Sequence, residues 1–532
     1  MAWYENAIVY QIYPRSFQDS NSDGIGDLKG IVQRLDYIKN LGVDAIWLSP
    51  IYKSPMKDFG YDVSDYRQID GIFGSMEDFE TLVGEAHKLG LRVMMDMVLN
   101  HSSDQHEWFQ KSRERVDPYT DFYIWNDKVP NNWKACFGGS AWTFDEKRGQ
   151  YYLHSFLKEQ PDLNWHDDTC RNAILDEVRF YLDKGVDGFR LDVINAVGKD
   201  PYLKSNPFMF GTTPRPYDMQ NHIHDRNTEY THHYIRELRK VIDAYDDRAL
   251  LGEIMIQGKS QMEQSASYTG ENNDELQLCF EFTMCNKSLT ARNLRKVAGK
   301  WYELNPIEKG KTPCWVLSNH DVPRAITRAG NDELVARMLA VYLIMQRGCS
   351  VIYFGEELGM QSKDFSRKEI QDPLGKRYWP IMKGRDAERR PMQWDYSENM
   401  GFSDVKPWLR PNYTKDWRHL TVEGEEIDRT SMLGLYRSLI ALRKSRSEIS
   451  GSDAIFCNNV PSDTLAYRFV KEDRCTLVIL NMGRRQRTFK LDTLAPGIPG
   501  LKVALNTYNR VYSYVKDGCI TISNGLGVVL TN

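Results

Sequence analysis

Eight short apolar runs between residues 7 and 354 constrain the fold of this 532-residue chain more than any other feature. The runs are rich in Val, Ile and Leu without clean alternation of apolar and polar residues, which predicts strands buried on both faces. Segments with an apolar period of about 3.6 residues precede most of the runs, and Gly42, Gly90 and Gly185 follow three predicted helix ends. This alternation predicts an α/β fold built on a closed (β/α)8 barrel of the TIM type.

The predicted strands and helices have definite positions in the sequence. The strands are Ala7 to Tyr13, Ala45 to Ile51, Arg92 to Leu99, Gly188 to Ile194, Ala249 to Ile254, Leu276 to Phe282, Trp315 to Ser318 and Ser350 to Phe354. The clearest helices are Ile31 to Asn40, Glu77 to Leu89, Arg171 to Asp183, Thr231 to Ala244, Asp332 to Met345 and Ser431 to Arg443.

Two regions depart from this alternation and predict additional domains. Residues 101–169 are rich in Trp, Tyr, Gly and Pro and form a segment too long for a plain loop, so we predict a subdomain inserted after the third strand. Residues 451–532 contain short alternating segments, which predict a C-terminal antiparallel β-sandwich domain. The barrel domain would then consist of residues 1–100 and 170–450.

Composition and charge exclude several classes of function. A formal net charge of −4 gives no reason to expect nucleic acid or an anionic membrane as a partner. The N-terminal residues have neither a basic region nor an apolar core, and the longest apolar stretches are too short to cross a bilayer. The nine cysteines form no Cys-x-x-Cys pair, which favours free thiols in a reducing cytoplasm. We expect a cytoplasmic monomer or weak homo-oligomer.

Three carboxylates, Asp192, Glu253 and Asp321, stand at or just past the ends of three predicted strands. Because the carboxyl ends of parallel strands meet at one rim of a barrel, we expect these acids to converge there as an active site. Retaining glycoside hydrolysis needs an ionised carboxylate as nucleophile and a protonated carboxyl as acid and base, about 5–5.5 Å apart. The first role suits Asp192 and the second suits Glu253, while Asp321 would bind ring hydroxyls and support the transition state.

The neighbours of two of these acids favour different protonation states. Arg190 lies two residues before Asp192, and therefore on the same strand face, where its charge is expected to keep Asp192 ionised. A buried structural ion pair is the alternative for Arg190. The apolar residues Leu250 and Ile254 flank Glu253, and loss of water around a carboxyl group raises its pKa.

Two histidines and a Gly-Tyr-Asp sequence also follow predicted strands. His101 and His320 suit neutral donors to substrate hydroxyls; metal ligation is the alternative, but no third ligand lies at a useful spacing. Tyr61 and Asp62 suit a sugar, because the ring can stack on it while the carboxylate accepts hydrogen bonds from its hydroxyls. The same pair of residues also occurs in ordinary turns.

The sequence Asp19-x-Asn21-x-Asp23-Gly24-x-Gly26-Asp27 predicts a cation-binding loop. Oxygen side chains at alternate positions, with a glycine turn, wrap a hard cation such as Ca²⁺ or Mg²⁺ in the first half of an EF-hand loop. This loop is not an EF-hand, because its twelfth position is Gly30 and no helix precedes it. A hydrogen-bonded loop without a metal is the alternative. No organic cofactor is expected.

Several motifs, taken in order, resemble the α-amylase superfamily, glycoside hydrolase family 13, and most closely its bacterial α-glucosidase and oligo-1,6-glucosidase branch. The resemblance covers essentially the whole chain. The motifs that carry it are Ala7 to Phe17, Asp96 to His101, Gln160 to Asn164, Gly188 to Asp192, Glu253, Asn319-His320-Asp321 and Arg389 to Asp395. The resemblance implies an enzyme that acts on small oligosaccharides.

The resemblance also implies a role for each candidate residue. Asp192 would be the nucleophile, Glu253 the acid and base, and Asp321 the stabiliser of the transition state. The substrate-binding residues would be Tyr61, Asp62, His101, Gln160, Arg190, Val193, His320 and Arg389. Asp62 and Arg389 would bind the non-reducing end of the substrate and close the pocket, which gives exo-action. The metal ligands would be Asp19, Asn21, Asp23, Asp27 and the Ile25 carbonyl.

Linkage preference in this branch goes with the residue after the nucleophile, where Val accompanies α-1,6 bonds. Val193 therefore implies a preference for short α-1,6-linked substrates of the isomaltose and panose type. An α-1,4-specific maltase and a transglucosylase are alternatives, because residues 208–227 look more like α-glucosidases with broader or α-1,4 preference. An inactive binding subunit is the alternative of another class, but it predicts a lost catalytic acid, and all three acids are present.

Overall fold

The eight predicted strands close into a parallel barrel in the computed structural model, which describes residues 2–211, 213, 215–255, 260–414, 417–508 and 513–532. We number these strands β1 (Ile8–Ile12), β2 (Ala45–Leu48), β3 (Arg92–Val98), β4 (Gly188–Asp192), β5 (Ala249–Gly252), β6 (Leu278–Glu281), β7 (Cys314–Val316) and β8 (Cys349–Tyr353). Each strand pairs in parallel with the next, and β1 also pairs with β8. The predicted (β/α)8 barrel is confirmed.

Helices surround the barrel, and several of the longer ones bury an apolar face. In Met76–Lys88, Ser75 and Asp78 form a capping box at the start, Phe79 is buried, and Gly90 follows the end with a φ of 71°. The other α-helices are Leu28–Gln33, Leu35–Leu41, Glu107–Arg113, Asp168–Asp183, Glu229–Ile242, Gln261–Ser267, Thr283–Asn286, Ala291–Leu304, Ala325–Arg328, Glu333–Ile344, Pro373–Tyr378, Val422–Ile427, Met432–Ser445, Ser447–Gly451 and Leu491–Leu494. Within the described ranges, none of the helices is long and apolar enough to cross a membrane.

One predicted helix is interrupted. The segment from Ile31 to Asn40 belongs to two helices, Leu28–Gln33 and Leu35–Leu41, rather than one. Arg34 between them has a φ of −108° and a ψ of 6°, outside the helical region. Its guanidinium Nε donates a hydrogen bond of 2.7 Å to Gln18 Oε1, a tertiary contact that apolar periodicity does not predict.

Antiparallel sheets accompany the barrel. Between β3 and β4 lies a three-stranded sheet of Trp125–Asn126, Gln150–Leu153 and Trp142–Asp145. A five-stranded sheet follows the barrel, with the strands Ile455–Phe456, Thr464–Lys471, Arg474–Asn481, Leu526–Thr531 and Lys502–Asn506 in that order. One smaller sheet pairs Tyr52–Lys53 with Asp65–Ile69, and in another the central strand Cys519–Ile522 pairs with both Arg487–Lys490 and Val515–Lys516. The exact domain boundaries stay predictions.

Apolar side chains fill the interior of the barrel. Trp47 on β2 contacts Phe280 on β6 across the barrel, with ring centroids 5.8 Å apart, and Val9, Met94 and Val351 pack in the same buried cluster. The interior is therefore a packed core rather than a channel, as in other barrels of this type. Any cavity that binds a ligand must lie at a rim, where the strands end.

A glycine before β8 provides a test of this packing. Gly348 has a φ of +100°, and a Cβ atom there would overlap the Pro313 carbonyl oxygen. We expect Gly348→Ala to lower the free energy of unfolding by about 2–4 kcal/mol, through both the unfavourable φ and the steric clash. Gly497→Ala is the matched control, because Gly497 has a φ of +72° and no neighbour within 4 Å of the added Cβ. Thermal unfolding of both variants measures the difference, and equal losses of Tm would contradict the steric account.

Candidate active site

A cavity of about 400 Å³ opens at the carboxyl ends of the barrel strands. Asp192 ends β4, Glu253 follows β5 and Asp321 follows β7, and all three side chains line the cavity. Of the other predicted site residues, the cavity is lined by Tyr61, His101 and Val193. The structure thus brings the three predicted acids together at one rim of the barrel.

One buried guanidinium connects the acids of three adjacent strands. Arg190 on β4 lies 2.7 Å from Asp96 on β3, 2.9 Å from Asp192 and 2.5 Å from Glu253. Its Nη1 is shared by Asp96 and Asp192, and its Nη2 binds Glu253. The Asp192 and Glu253 carboxylates therefore bind the two terminal nitrogens of one planar group.

Burial raises the pKa of Asp192 well above the ordinary range of an aspartate. Arg190 opposes this effect, whereas the nearby Glu253 and Asp96 carboxylates add to it. Burial also raises the pKa of Asp96 to about 6. Arg190 therefore compensates Asp192 only in part, because this single cation is shared by three acids. The ionised state expected of Asp192 stays a prediction.

Asp321 lies in a more positive environment. Its Oδ1 accepts hydrogen bonds from Arg385 at 3.1 Å and from Arg389 at 2.9 Å, and His320 Nε2 lies 3.3 Å from its Oδ2. Burial by itself raises the pKa of Asp321, but His320 and the two arginines together lower it below the usual aspartate range. Asp321 therefore stays ionised at lower pH than an ordinary aspartate.

Both predicted histidines are neutral near pH 7. Burial lowers the pKa of His101 to about 4 and that of His320 to about 3. His320 is fully buried behind Tyr61, with its Nε2 2.6 Å from the Tyr61 hydroxyl and the two rings stacked at an interplanar angle of 4°. His101 lines the cavity directly, and Gln160 Nε2 lies 3.1 Å from its Nε2. His320 therefore orients Tyr61, and His101 is the histidine that lines the cavity.

The structure places Asp58, rather than Asp62, on the cavity wall. Asp62 is fully buried, and its carboxylate accepts hydrogen bonds from the Lys57 amide at 2.8 Å, the Asp58 amide at 2.9 Å and the Ser54 hydroxyl at 3.0 Å. The Asp58 carboxylate reaches Arg385 Nη2 at 2.7 Å. This corrects the position expected for Asp62, whose oxygens are used to order the turn that presents Asp58.

Gln160 and Arg389 also lie behind the cavity wall, because both side chains are fully buried. Gln160 Nε2 lies 3.3 Å from Asp58 Oδ2, and Arg389 binds the Asp321 carboxylate. Arg385, four residues before Arg389, is the arginine that lines the cavity. The two predicted residues therefore position wall residues instead of lining the cavity themselves.

Val193 has a backbone conformation that is rare for a β-branched residue. Its φ of 42° and ψ of 41° lie in the left-handed region. The Val193 amide donates a hydrogen bond of 3.2 Å to Glu253 Oε2, while the side chain lines the cavity. Asn195 makes a second link, because its side chain bonds both the amide and the carbonyl of Met255, at 3.1 and 2.9 Å. The segment after β4 thus holds the segment after β5.

Sequence reasoning did not identify four residues of this site. Asp96 and Asn195 lie within or next to motifs already recognised. Their short distances along the chain from His101 and Asp192 could have indicated that they belong to the site. Asp58 and Arg385 lie in loops, where no periodicity indicates which acid or arginine faces inward. Their hydrogen bond joins residues that are 327 positions apart in the chain.

The predicted metal loop is closed by its own hydrogen bonds. Asp19 accepts from the Asn21 amide, Asn21 from the Asp23 amide and Asp23 from the Ile25 amide, and Asp27 accepts from the Gly30 amide. In the described part of the chain, no group of three or more Asp, Glu, His or Cys side chains is arranged to hold a metal ion. The loop nevertheless carries three carboxylates without a basic residue between them, a donor set that suits a hard cation.

Comparisons with known proteins agree with this arrangement. A family model described as "Alpha amylase, catalytic domain" matches residues 11–451. The chain is 42% identical over 475 aligned positions to a probable α-glucosidase of Rhizobium meliloti, covering 85% of each protein. It is 39% identical over 537 positions to an oligo-1,6-glucosidase of Parageobacillus thermoglucosidasius, covering 92% of each. Among solved structures it is similar to an α-glucosyl transfer enzyme, XgtA, with a TM-score of 0.92, 37% identity and complete coverage of both chains.

The neutral state of His101 predicts a loss of stability in acid. Its pKa is about 4 in the folded protein and about 6.5 in an unfolded chain, so between pH 6.5 and pH 4 the unfolded chain binds a proton that the folded protein mostly does not. This destabilises the folded state by about 2 kcal/mol at pH 5. We expect His101→Gln, which does not titrate, to lose less Tm between pH 7.5 and pH 5 than the parent. The Tm of each protein at pH 7.5 is its own reference, which corrects for packing that the variant loses. Equal losses of Tm between pH 7.5 and pH 5 in the two proteins would contradict the prediction.

Proposed function

Because this chain belongs to the α-amylase family and is a glycoside hydrolase, we propose that it is an exo-acting, retaining α-glucosidase. It removes glucose from the non-reducing ends of short gluco-oligosaccharides, with a preference for α-1,6 bonds of the isomaltose and panose type. The observation that carries the proposal is the placement of Asp192 and Glu253 on the two terminal nitrogens of Arg190, inside one cavity.

In this proposal Asp192 is the nucleophile and Glu253 is the acid and base. Glu253 donates a proton to the glycosidic oxygen while Asp192 attacks the anomeric carbon, and Glu253 then takes a proton from the water that releases glucose. The shared guanidinium supports the short carboxyl separation of about 5–5.5 Å that retention requires. Asp192 and Glu253 share the Arg190 cation, and the proposal assigns the proton to Glu253 and the negative charge to Asp192.

The other polar residues of the cavity suit one glucose unit. The ionised Asp321 is placed to stabilise positive charge at the anomeric centre, and the neutral His101 can hydrogen-bond a hydroxyl. Tyr61 is held by His320 so that its ring can stack on the sugar. These roles require the glucose unit to lie against Asp192, Glu253 and Asp321, and we propose that position for it.

Exo-action follows from a cluster of charges at one end of the cavity. Arg385 binds Asp58 at 2.7 Å, Asp372 at 2.7 Å and Asp321 at 3.1 Å. This network joins a loop after β2 to a loop after β8, and it would stop a sugar chain from extending beyond one glucose. In our proposal Asp58 and Arg385 take the role first expected of Asp62 and Arg389, that of binding the non-reducing end.

Linkage preference rests on Val193, whose side chain lines the cavity directly after the nucleophile. A branched side chain fixed in this position can bias the shape of the leaving sugar, although one such contact contributes only about 1–3 kcal/mol. An α-1,4-specific maltase and a transglucosylase are the second candidates. The transglucosylase gains support from the similarity to an α-glucosyl transfer enzyme over the full length of the chain.

Initial rates on isomaltose, panose and maltose at equal concentrations test the linkage. We expect isomaltose to be hydrolysed at least several-fold faster than maltose, and ¹H NMR at early times to show α-glucose as the first product. Asp192→Asn is the control and should lose nearly all turnover on every substrate. A maltose rate above the isomaltose rate would refute the α-1,6 preference, and β-glucose as first product would refute retention.

We further propose a structural Ca²⁺ or Mg²⁺ in the loop from Asp19 to Asp27. The side-chain oxygens of Asp19, Asn21, Asp23 and Asp27, with the Ile25 carbonyl, would hold the ion, which would offset repulsion among the three carboxylates. Its role would be to order the turn between β1 and the helix Leu28–Gln33, away from the reacting atoms.

Removal of the ion tests this second proposal. We expect EDTA to lower the Tm by several degrees and an excess of CaCl₂ or MgCl₂ to restore it, because an ion that binds only the folded loop stabilises it. Asp23→Ala, at an exposed position of the loop, should abolish the response to EDTA. Elemental analysis of the purified protein gives the bound stoichiometry. An unchanged Tm together with no bound metal would support the metal-free loop.

We also propose a reducing cytoplasm as the compartment, with the enzyme as a monomer or weak homo-oligomer. All nine cysteines are unpaired, and seven of them are buried. Burial raises the pKa of several of these thiols, including Cys170 and Cys279, which makes them unreactive rather than poised for disulfide formation.

A further inference from the structure

Gln11 is a buried polar side chain of β1 that the proposed mechanism does not use. It lies two residues after Val9, on the strand face that points into the barrel, and is fully buried. Its Nε2 lies 2.8 Å from His320 Nδ1 and 3.5 Å from Ser49 Oγ. Among the residues that the structure describes, its Oε1 has no hydrogen-bond partner, which lowers stability. What the amide adds at this position is an N–H donor.

The Tyr61 hydroxyl indicates which nitrogen of His320 carries the proton. This hydroxyl lies 3.0 Å from Asp96 Oδ2 and 2.6 Å from His320 Nε2. Asp96 also binds Arg190, and its pKa of about 6 leaves it mostly ionised at pH 7, so its carboxylate only accepts hydrogen bonds. Tyr61 therefore donates its single proton to Asp96. Its oxygen then accepts a hydrogen bond, and His320 Nε2 is the donor.

Asp321 favours the same proton position. Its Oδ2 lies 3.3 Å from His320 Nε2, so a proton on this nitrogen attracts the carboxylate, whereas a lone pair there would repel it. Burial lowers the pKa of His320 to about 3, and the neutral ring therefore carries only one proton near pH 7. With that proton on Nε2, the opposite nitrogen Nδ1 is an acceptor.

The Gln11 amide supplies the donor that Nδ1 needs, at a distance of 2.8 Å. The result is one directed chain of hydrogen bonds, from Gln11 through His320 and Tyr61 to Asp96. The chain begins on β1, passes through the segments after β7 and β2, and ends on β3. Its last member is the acid that shares Arg190 with the proposed nucleophile.

We propose that Gln11 is a positioning residue of the reaction, whose donation to His320 Nδ1 holds the Nε2 proton toward Tyr61 and Asp321. This inference rests on the proposed retaining α-glucosidase activity, in which Asp321 stabilises positive charge at the anomeric centre. In the other tautomer the Nε2 lone pair faces Asp321 Oδ2, and the Tyr61 hydroxyl turns its proton from Asp96 to Nε2. Both carboxylates then lose a donor that fixes their orientation.

Nitrogen NMR of the substrate-free protein tests the hydrogen-bond chain directly. In protein labelled with ¹⁵N at histidine, protonated and bare ring nitrogens resonate far apart, and His320→Gln identifies the His320 signals among those of the eleven histidines. We expect a protonated Nε2 and a bare Nδ1 at pH 7. In Gln11→Met the Nδ1 signal should move further from the protonated range, because it loses its donor. A protonated Nδ1 in the parent, or an Nδ1 signal that does not move in Gln11→Met, would overturn the inference.

The kinetics and stability of Gln11→Met separate positioning from packing. We expect kcat on isomaltose to fall about tenfold with KM within about threefold of the parent, because the chain orients Asp321, which acts on charge that develops in the transition state. The Tm should be no lower than that of the parent, since methionine leaves no carbonyl oxygen without a partner. An unchanged kcat, or a kcat that falls together with the Tm, would overturn the inference.

Gln346→Met is the matched control. Gln346 is also fully buried, but its amide bonds the hydroxyls of Tyr302 and Tyr467, at 2.9 and 3.1 Å. This variant should lose Tm and keep the parental kcat, and a fall in its kcat as large as that of Gln11→Met would overturn the specific role of Gln11. No hydrolysis of isomaltose, panose or maltose by the parent would instead refute the proposed α-glucosidase activity, whereas the NMR test of the chain needs no turnover.

Discussion

The guanidinium of Arg190 is the contact on which the rest of the site depends. It is fully buried and lies within 2.9 Å of Asp96, Asp192 and Glu253, so it links β3, β4 and the end of β5. Removing one partner of a buried charge group typically costs about 3–5 kcal/mol, because the remaining charges lose their compensation. One cation among three acids leaves Asp96 and Asp192 only partly compensated, and burial raises the pKa of both.

Charge is distributed unequally around the cavity, and this inequality distinguishes the acids. Asp321 is bound by Arg385 and Arg389, and its pKa lies below the usual range, whereas burial raises the pKa of Asp192. Apolar side chains, among them Val193 and Met382, also line the cavity. The acids therefore differ in their surroundings although they share one cavity.

Sequence reasoning succeeded where local pattern and global topology coincide. The eight apolar runs became the eight barrel strands because a run without alternation is buried on both faces in a parallel sheet. The three acids converged because parallel strands bring their carboxyl ends to one rim. Sequence reasoning was less successful where tertiary contacts decide the local structure. The helix expected from Ile31 to Asn40 is interrupted at Arg34, and Asp58 lines the cavity where Asp62 was expected.

The sequence by itself determined the barrel, the order of its strands and the convergence of Asp192, Glu253 and Asp321, since each follows from unbroken apolar runs, a helical period of about 3.6 residues and the positions of strand ends. Only the tertiary structure decided which of Asp58 and Asp62 meets Arg385, how Arg190 is shared, and that Asp192 has a raised pKa. These properties depend on burial and on contacts between residues far apart in the chain. Hydrogen bonds and charges act over a few ångströms in space, so spacing along the sequence does not predict them.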